Sequence, residues 1–141
     1  MQGKLTLTIM IKNSGTAPTL ADIEAIARYE LAQIPEPLRH HVRDVVIRVE
    51  EFCEPEVERE MELESPFDIL GLYHGTSIDQ KSVGDVAHDL DRIFLYRRPI
   101  LDYWCETGEA LDHVIRHVLI HEIGHHFGFS DDDMEQIEEN E

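Results

Sequence analysis

Residues Lys4 to Ile11 set Leu5, Leu7, Ile9 and Ile11 against Thr6, Thr8 and Met10, the two-residue period of a half-buried strand. Asn13-Ser14-Gly15 breaks it. From Leu20 the period lengthens. Leu20, Ile23, Ala27, Leu31 and Ile34 make one apolar stripe, which predicts a helix from about Leu20 to Gln33, capped by Thr19 and ended by Pro35 and Pro37. A short helical turn through His41 is expected next, and then a buried strand over Val45 to Val49, rich in β-branched residues.

Residues 54 to 64 carry glutamate at every even position. Strict alternation suits an edge strand, yet Pro55 in a first turn and the Val57/Met61 pair suit a short helix, so the period leaves both open. Either way these glutamates form a solvated face, because a calcium loop needs Gly and Asp or Asn at set offsets. Ile69 to Tyr73 and Arg92 to Tyr96 read as further strands, with an unordered polar loop from Thr76 to Asp89 between them. Arg97-Arg98-Pro99 is expected to turn the chain out of its strand into a helical turn over Ile100 to Trp104. The longest helical pattern runs from Glu109 to Phe127 and stops at Gly128. A last short helix, Asp131 to Glu139, turns Met134 and Ile137 inward. Few strands, with helices gathered towards the two ends, predict an α+β class in one domain spanning 1–141, residues 1–15 adding an extra N-terminal strand.

The long helix places His113, His117, His121 and His125 four residues apart, and any such pair presents two imidazoles to one ion. Their neighbours distinguish them. Only His121-Glu122-Ile123-Gly124-His125 sets a carboxylate beside the first imidazole; Val114 and Val118 hold that place after His113 and His117. At about 100° per residue, Leu111, Val114, Ile115, Val118 and Leu119 cover one apolar arc with Glu122 in its middle. His121 and His125 fall at the edge of that arc, and His117 and His113 turn outward.

A carboxylate on an apolar face is costly when charged and unpartnered, so its presence there suggests a use. Burial raises its pKa and a nearby cation lowers it, which together poise a base for activating a metal-bound water. Beyond the helix, Gly128 can reverse the chain in a left-handed turn and bring Asp131 back to the ion. The motif is H-E-x-x-H-x-x-G-x-x-D, and two imidazoles with one carboxylate leave a fourth tetrahedral position for water. Asp132 and Asp133 follow directly, and a one-residue shift would exchange the ligand; the offset favours Asp131. In a hydrolysis of a carbonyl at that ion, the metal together with Tyr73 or a histidine would steady the oxyanion.

Composition narrows the partners. The chain has 141 residues, 30 of them Asp or Glu against 12 Lys or Arg, for a formal charge of -18. Such a surface repels phosphate backbones, so nucleic acid is not an expected partner. A hydrophobic content of 42% is too high for a disordered acidic tail. No apolar run approaches the roughly 18 residues of a membrane span, and no signal peptide is read at the start. Cys53 and Cys105 have no paired spacing, which excludes a disulfide framework or a four-cysteine zinc site. Two packed, reduced thiols fit a cytoplasmic protein. His126 is expected to pack or cap, His117 to face solvent, His74 to lie in a turn, Trp104 and Phe127 to join the core, and Arg97-Arg98 to pair with nearby glutamates.

At these residues the chain resembles the zincin metallopeptidases, and more closely the small bacterial minimal zincin family. Phe67 to Gly75 is similar to that family's Leu-Gly-Leu-Tyr-x-Gly segment, Arg92 to Pro99 to its strand before the motif, and Val118 to Gly128 to the motif itself. The Lys4 to Ile11 strand has no counterpart in the family pattern. The resemblance implies a small mixed sheet packed against the long motif helix. It further implies one Zn2+ ion held by His121, His125 and Asp131, with Glu122 as general base of a peptidase acting on peptide or unfolded protein. Two rivals stand beside it. One is a non-catalytic zinc-containing binding module. The other is a metal-dependent endoribonuclease, disfavoured because such small zincin-like proteins carry a third histidine where this chain has Asp131, and because of the charge. Oligomeric state is left open.

Overall fold

The computed structural model describes residues 16–42, 44–75 and 90–139. The expected Lys4 to Ile11 strand and the Thr76 to Asp89 loop lie outside the described residues.

Helix α1 (Leu20–Leu31) begins where sequence placed it. Thr19 Oγ1 accepts from the Asp22 N–H at 3.0 Å and Asp22 Oδ2 accepts from the Thr19 N–H at 2.8 Å, a reciprocal cap for two otherwise unpaired donors. A short α2 (Leu38–His41) leads into β1 (Val46–Glu50). The first part of the glutamate run resolves as helix α3 (Pro55–Glu60), with Glu54 at its N-cap position and Pro55 in the first turn, and none of its residues is buried. A 3-10 turn (Pro66–Asp68) precedes β2 (Gly71–His74).

Strand β3 (Arg92–Tyr96) runs directly into α4 (Arg97–Thr107), which corrects the expected turn at Arg97-Arg98-Pro99. Pro99 sits in the first helical turn, where its missing N–H forfeits no intrahelical bond. Arg97 Nη1 donates to Glu51 at 2.9 Å and its Nε to the Pro18 carbonyl at 2.6 Å, while Arg98 lies over the Phe52 ring. Helices α5 (Leu111–His126) and α6 (Asp131–Glu139) complete the described elements.

The sheet order is β1-β3-β2, with β1 parallel and β2 antiparallel to β3. The register aligns Ile47 with Ile93, Ile93 with Tyr73, and Leu95 with Gly71, so these residues share one face. Helices α1 and α5 cover that face and make the main core with Ile23, Ile26, Ile115, Leu119 and Ile123. On the other face Tyr96, Phe94 and Leu72 form a smaller cluster with Cys53, Ile69, Val57 and Leu63. The result is an α+β fold whose small mixed sheet backs the motif helix. A Cβ on Gly71 would lie 2.7 Å from Val118 Cγ1, so glycine is what lets α5 lie this close to β2.

Trp104 and Phe127 are partly buried against the main core. Both cysteines are free, but only Cys53 is packed; Cys105 is exposed on α4, a correction to the expected pair of packed thiols. Among the described residues no helix is long and apolar enough to cross a membrane.

Candidate metal centre

Burial along α5 follows the projected arc and extends past it. Leu111, Val114, Ile115, Val118 and Leu119 are buried as expected, and so are Arg116, Ile120 and Gly124 on the far side. The helix is therefore enclosed on most of its circumference, and its histidines occupy the gap. The side chain of His121 is 26% exposed, against 49% for His117 and 56% for His125.

Glu122 is partly buried and reaches sideways to the sheet. The Leu70 carbonyl accepts from the Tyr96 N–H at 3.0 Å, so alternate β2 residues, Leu72 and His74, pair with β3. Gly71 and Tyr73 then direct their backbone groups away from β3. The Tyr73 N–H finds Glu122 Oε1 at 3.1 Å. Burial pushes the Glu122 carboxyl above its ordinary pKa, against the opposing pull of that N–H and of His125.

Donors converge beside it. His121, His125 and Asp131 each offer one ligand atom, all within 4.8 Å of one another. The chain reversal that does this is a Schellman ending: Gly128 takes φ +83, the Phe129 N–H donates to the Gly124 carbonyl at 2.8 Å, and the Gly128 N–H to His125 at 3.2 Å. Ser130 then caps α6 with Asp133, the Ser130 N–H reaching Asp133 Oδ2 at 3.2 Å. That engages Asp133 and leaves Asp131, in the first turn, with Oδ1 3.3 Å from His125 Nε2. Gly124 sets the spacing of the two helices, because a Cβ there would strike the thioether of fully buried Met134.

A second group was not anticipated. Glu138 places Oε2 2.9 Å from His117 Nδ1 and Oε1 2.9 Å from His121 Nε2, and these three residues also form a donor set within 4.8 Å. Burial alone would raise the Glu138 carboxyl, but hydrogen bonds and charge from His117 and His121 outweigh it and hold the carboxyl below its ordinary value. Its signal lay in the sequence: Glu138 follows Met134 by four, so an inward Met134 carries it towards α5. His117, read as a solvated residue, is thereby engaged.

His126 stacks on Tyr73 with ring centroids 4.0 Å apart, a packed histidine as expected. The Tyr73 hydroxyl donates to Asp91 at 2.6 Å, and desolvation with that acceptor pushes its pKa far up. Tyr73 thus meets the site through its backbone N–H. His74 is exposed and belongs to neither donor set.

The donors suit zinc. Bonds of about 2.0–2.1 Å in tetrahedral geometry separate neighbouring ligand atoms by roughly 3.3 Å. The His125–Asp131 pair already stands at 3.3 Å, and the wider spacings need only to draw in. A family model described as zincin-like metallopeptidase matches residues 42–140, well over half of the chain. No curated protein matches it significantly.

Proposed function

The chain belongs to the zincin-like metallopeptidase family, and we propose that it is a zinc-dependent peptidase acting on peptide or unfolded protein. His121, His125 and Asp131 hold one Zn2+, and Glu122 is the general base. The observation that carries this reading is the setting of Glu122, desolvated and pinned by the Tyr73 N–H beside the donor cluster. Zinc, when bound, supplies a Lewis acid and lowers the pKa of water.

The protein's own groups do the rest. With Oε1 held by Tyr73, Glu122 keeps Oε2 for the proton of a water whose oxygen adds to the peptide carbonyl carbon. The same carboxyl returns that proton to the departing amine nitrogen as the C–N bond breaks. The backbone groups of Gly71 and the Tyr73 carbonyl, directed away from β3, offer an extended substrate a strand to lie along. Seven acidic residues fall within 131–141, the stretch of sequence that begins at Asp131, and this charge favours a basic or neutral peptide over RNA.

Glu122→Gln tests the assignment. The variant is expected to bind zinc as the wild type does and to cleave nothing in a peptide library. Undiminished turnover would sink the role given to Glu122. Zinc bound at one equivalent by the wild type, without cleavage of any library member, would favour the non-catalytic binding module instead.

A further inference from the structure

We propose that His117, His121 and Glu138 form a second position for a divalent cation of zinc's class, competing with the His121–His125–Asp131 set for His121. Glu138 directs one carboxylate oxygen to each imidazole, at 2.9 Å in both cases. The rings of His117 and His121 lie 4.0 Å apart and tilted by 37°, so successive turns of α5 aim both at α6. Two imidazole nitrogens and a carboxylate within 4.8 Å are the donor chemistry of a zinc site, and they sit on two helices locked by the Gly124–Met134 contact.

Competition follows from His121. An imidazole nitrogen has one lone pair, so the Nε2 facing Glu138 serves one ion at a time. Using both nitrogens at once would require loss of the remaining N–H proton, which neutral imidazole holds tightly. The two positions are therefore alternatives, displaced by four residues along the helix, or about 6 Å at 1.5 Å per residue. Glu122 neighbours His125, not His117, so an ion at the His117 end is withdrawn from the general base. The second position is a parking place on the same helix.

This shares with the peptidase reading only metal binding at His121. Absent hydrolysis leaves it standing, and failure of the Glu138 effect leaves the peptidase reading standing. The test uses the full chain stripped of metal, titrated with Zn2+ against a competing chelator, with folding checked by circular dichroism. Asp131→Asn is expected to keep one equivalent of zinc. Adding Glu138→Gln or His117→Ala to it should weaken binding at least about a hundredfold, more than loss of an outer partner costs. The same two substitutions with Asp131 intact should cost less than they do in its absence, no more than the roughly 10–100-fold of a lost outer partner. A double variant that binds no more weakly than Asp131→Asn overturns the proposal. Should Asp131→Asn not fold, His125→Ala disables the same set and takes its place: it should keep one equivalent of zinc, adding Glu138→Gln should weaken binding at least about a hundredfold, and a double variant that binds no more weakly than His125→Ala overturns the proposal.

Discussion

The backbone N–H of Tyr73 donates to the carboxylate of Glu122 at 3.1 Å, tying the strand at one side of the sheet to the motif helix across 49 positions of sequence. The bond fixes where the carboxylate sits, and burial fixes its proton affinity.

That affinity makes stability depend on pH. The folded-state pKa of Glu122 is raised above the ordinary 4.5, first by desolvation. A raised acid contributes stability in its protonated form, fully present below the unfolded value and lost as pH rises through the folded one. Above that window the ionised carboxylate weighs against the metal-free fold. Glu122→Gln, whose amide oxygen still accepts from Tyr73, is expected to raise the Tm of the metal-free chain at neutral pH and leave it unchanged well below the carboxylate range. Calorimetry across pH reads this directly, and a Tm lowered at neutral pH contradicts it.

Gly124 is the second point of leverage. Its hydrogen admits Met134, so Gly124→Ala should push α6 off α5 at a cost of about 1–3 kcal/mol and weaken zinc binding. Met134→Ala alone leaves a void and should cost about 2–5 kcal/mol. The double variant should cost clearly less than the sum of the two, since one relieves the clash the other makes. Denaturant titration of the four proteins settles it; strict additivity would mean the helices do not meet at this contact.

Tyr73→Phe removes the hydroxyl on Asp91 and keeps the backbone donor. The expected loss is about 1 kcal/mol of stability, with cleavage rate far less affected than by Glu122→Gln. A rate loss matching that of Glu122→Gln would place the hydroxyl itself in the chemistry.

Much of this was legible in the sequence, for a physical reason: features that depend on helix period or local turns can be read one segment at a time. The histidine ladder, the inward-turned and partly buried place of Glu122, the Gly128 reversal and the inward Met134 and Ile137 are of that kind. Pro99 misled because proline breaks helices only where its N–H is needed, and the first turn does not need it. The even-numbered glutamates from 54 to 64 satisfied two periods at once, until Pro55 in a first turn decided for helix. Glu138 escaped because its partner is set by how α6 lands on Gly124. The Tyr73 donor escaped too, since strand edges are a property of the assembled sheet.

Zinc should stabilise the chain by mass action. At a free concentration one hundred times the dissociation constant the gain is about 2.7 kcal/mol, seen as a rise in Tm that a chelator reverses. Replacing His121 should abolish the rise altogether, because both donor sets contain it. A persistent shift would locate the metal elsewhere.

Every donor in the two sets falls between His117 and Glu138, on consecutive helices, whereas Glu122 is held by a strand from a distant part of the chain. Assembly of the donors is thus a local property and alignment of the Glu122 carboxylate a global one. A nascent or partly opened chain is expected to carry its ion while remaining inert, acquiring cutting power only once β2 is seated against α5. On the peptidase reading proposed above, the backbone bond from Tyr73 would act as a safety catch, making hydrolysis conditional on completed folding and sparing neighbouring polypeptides until then.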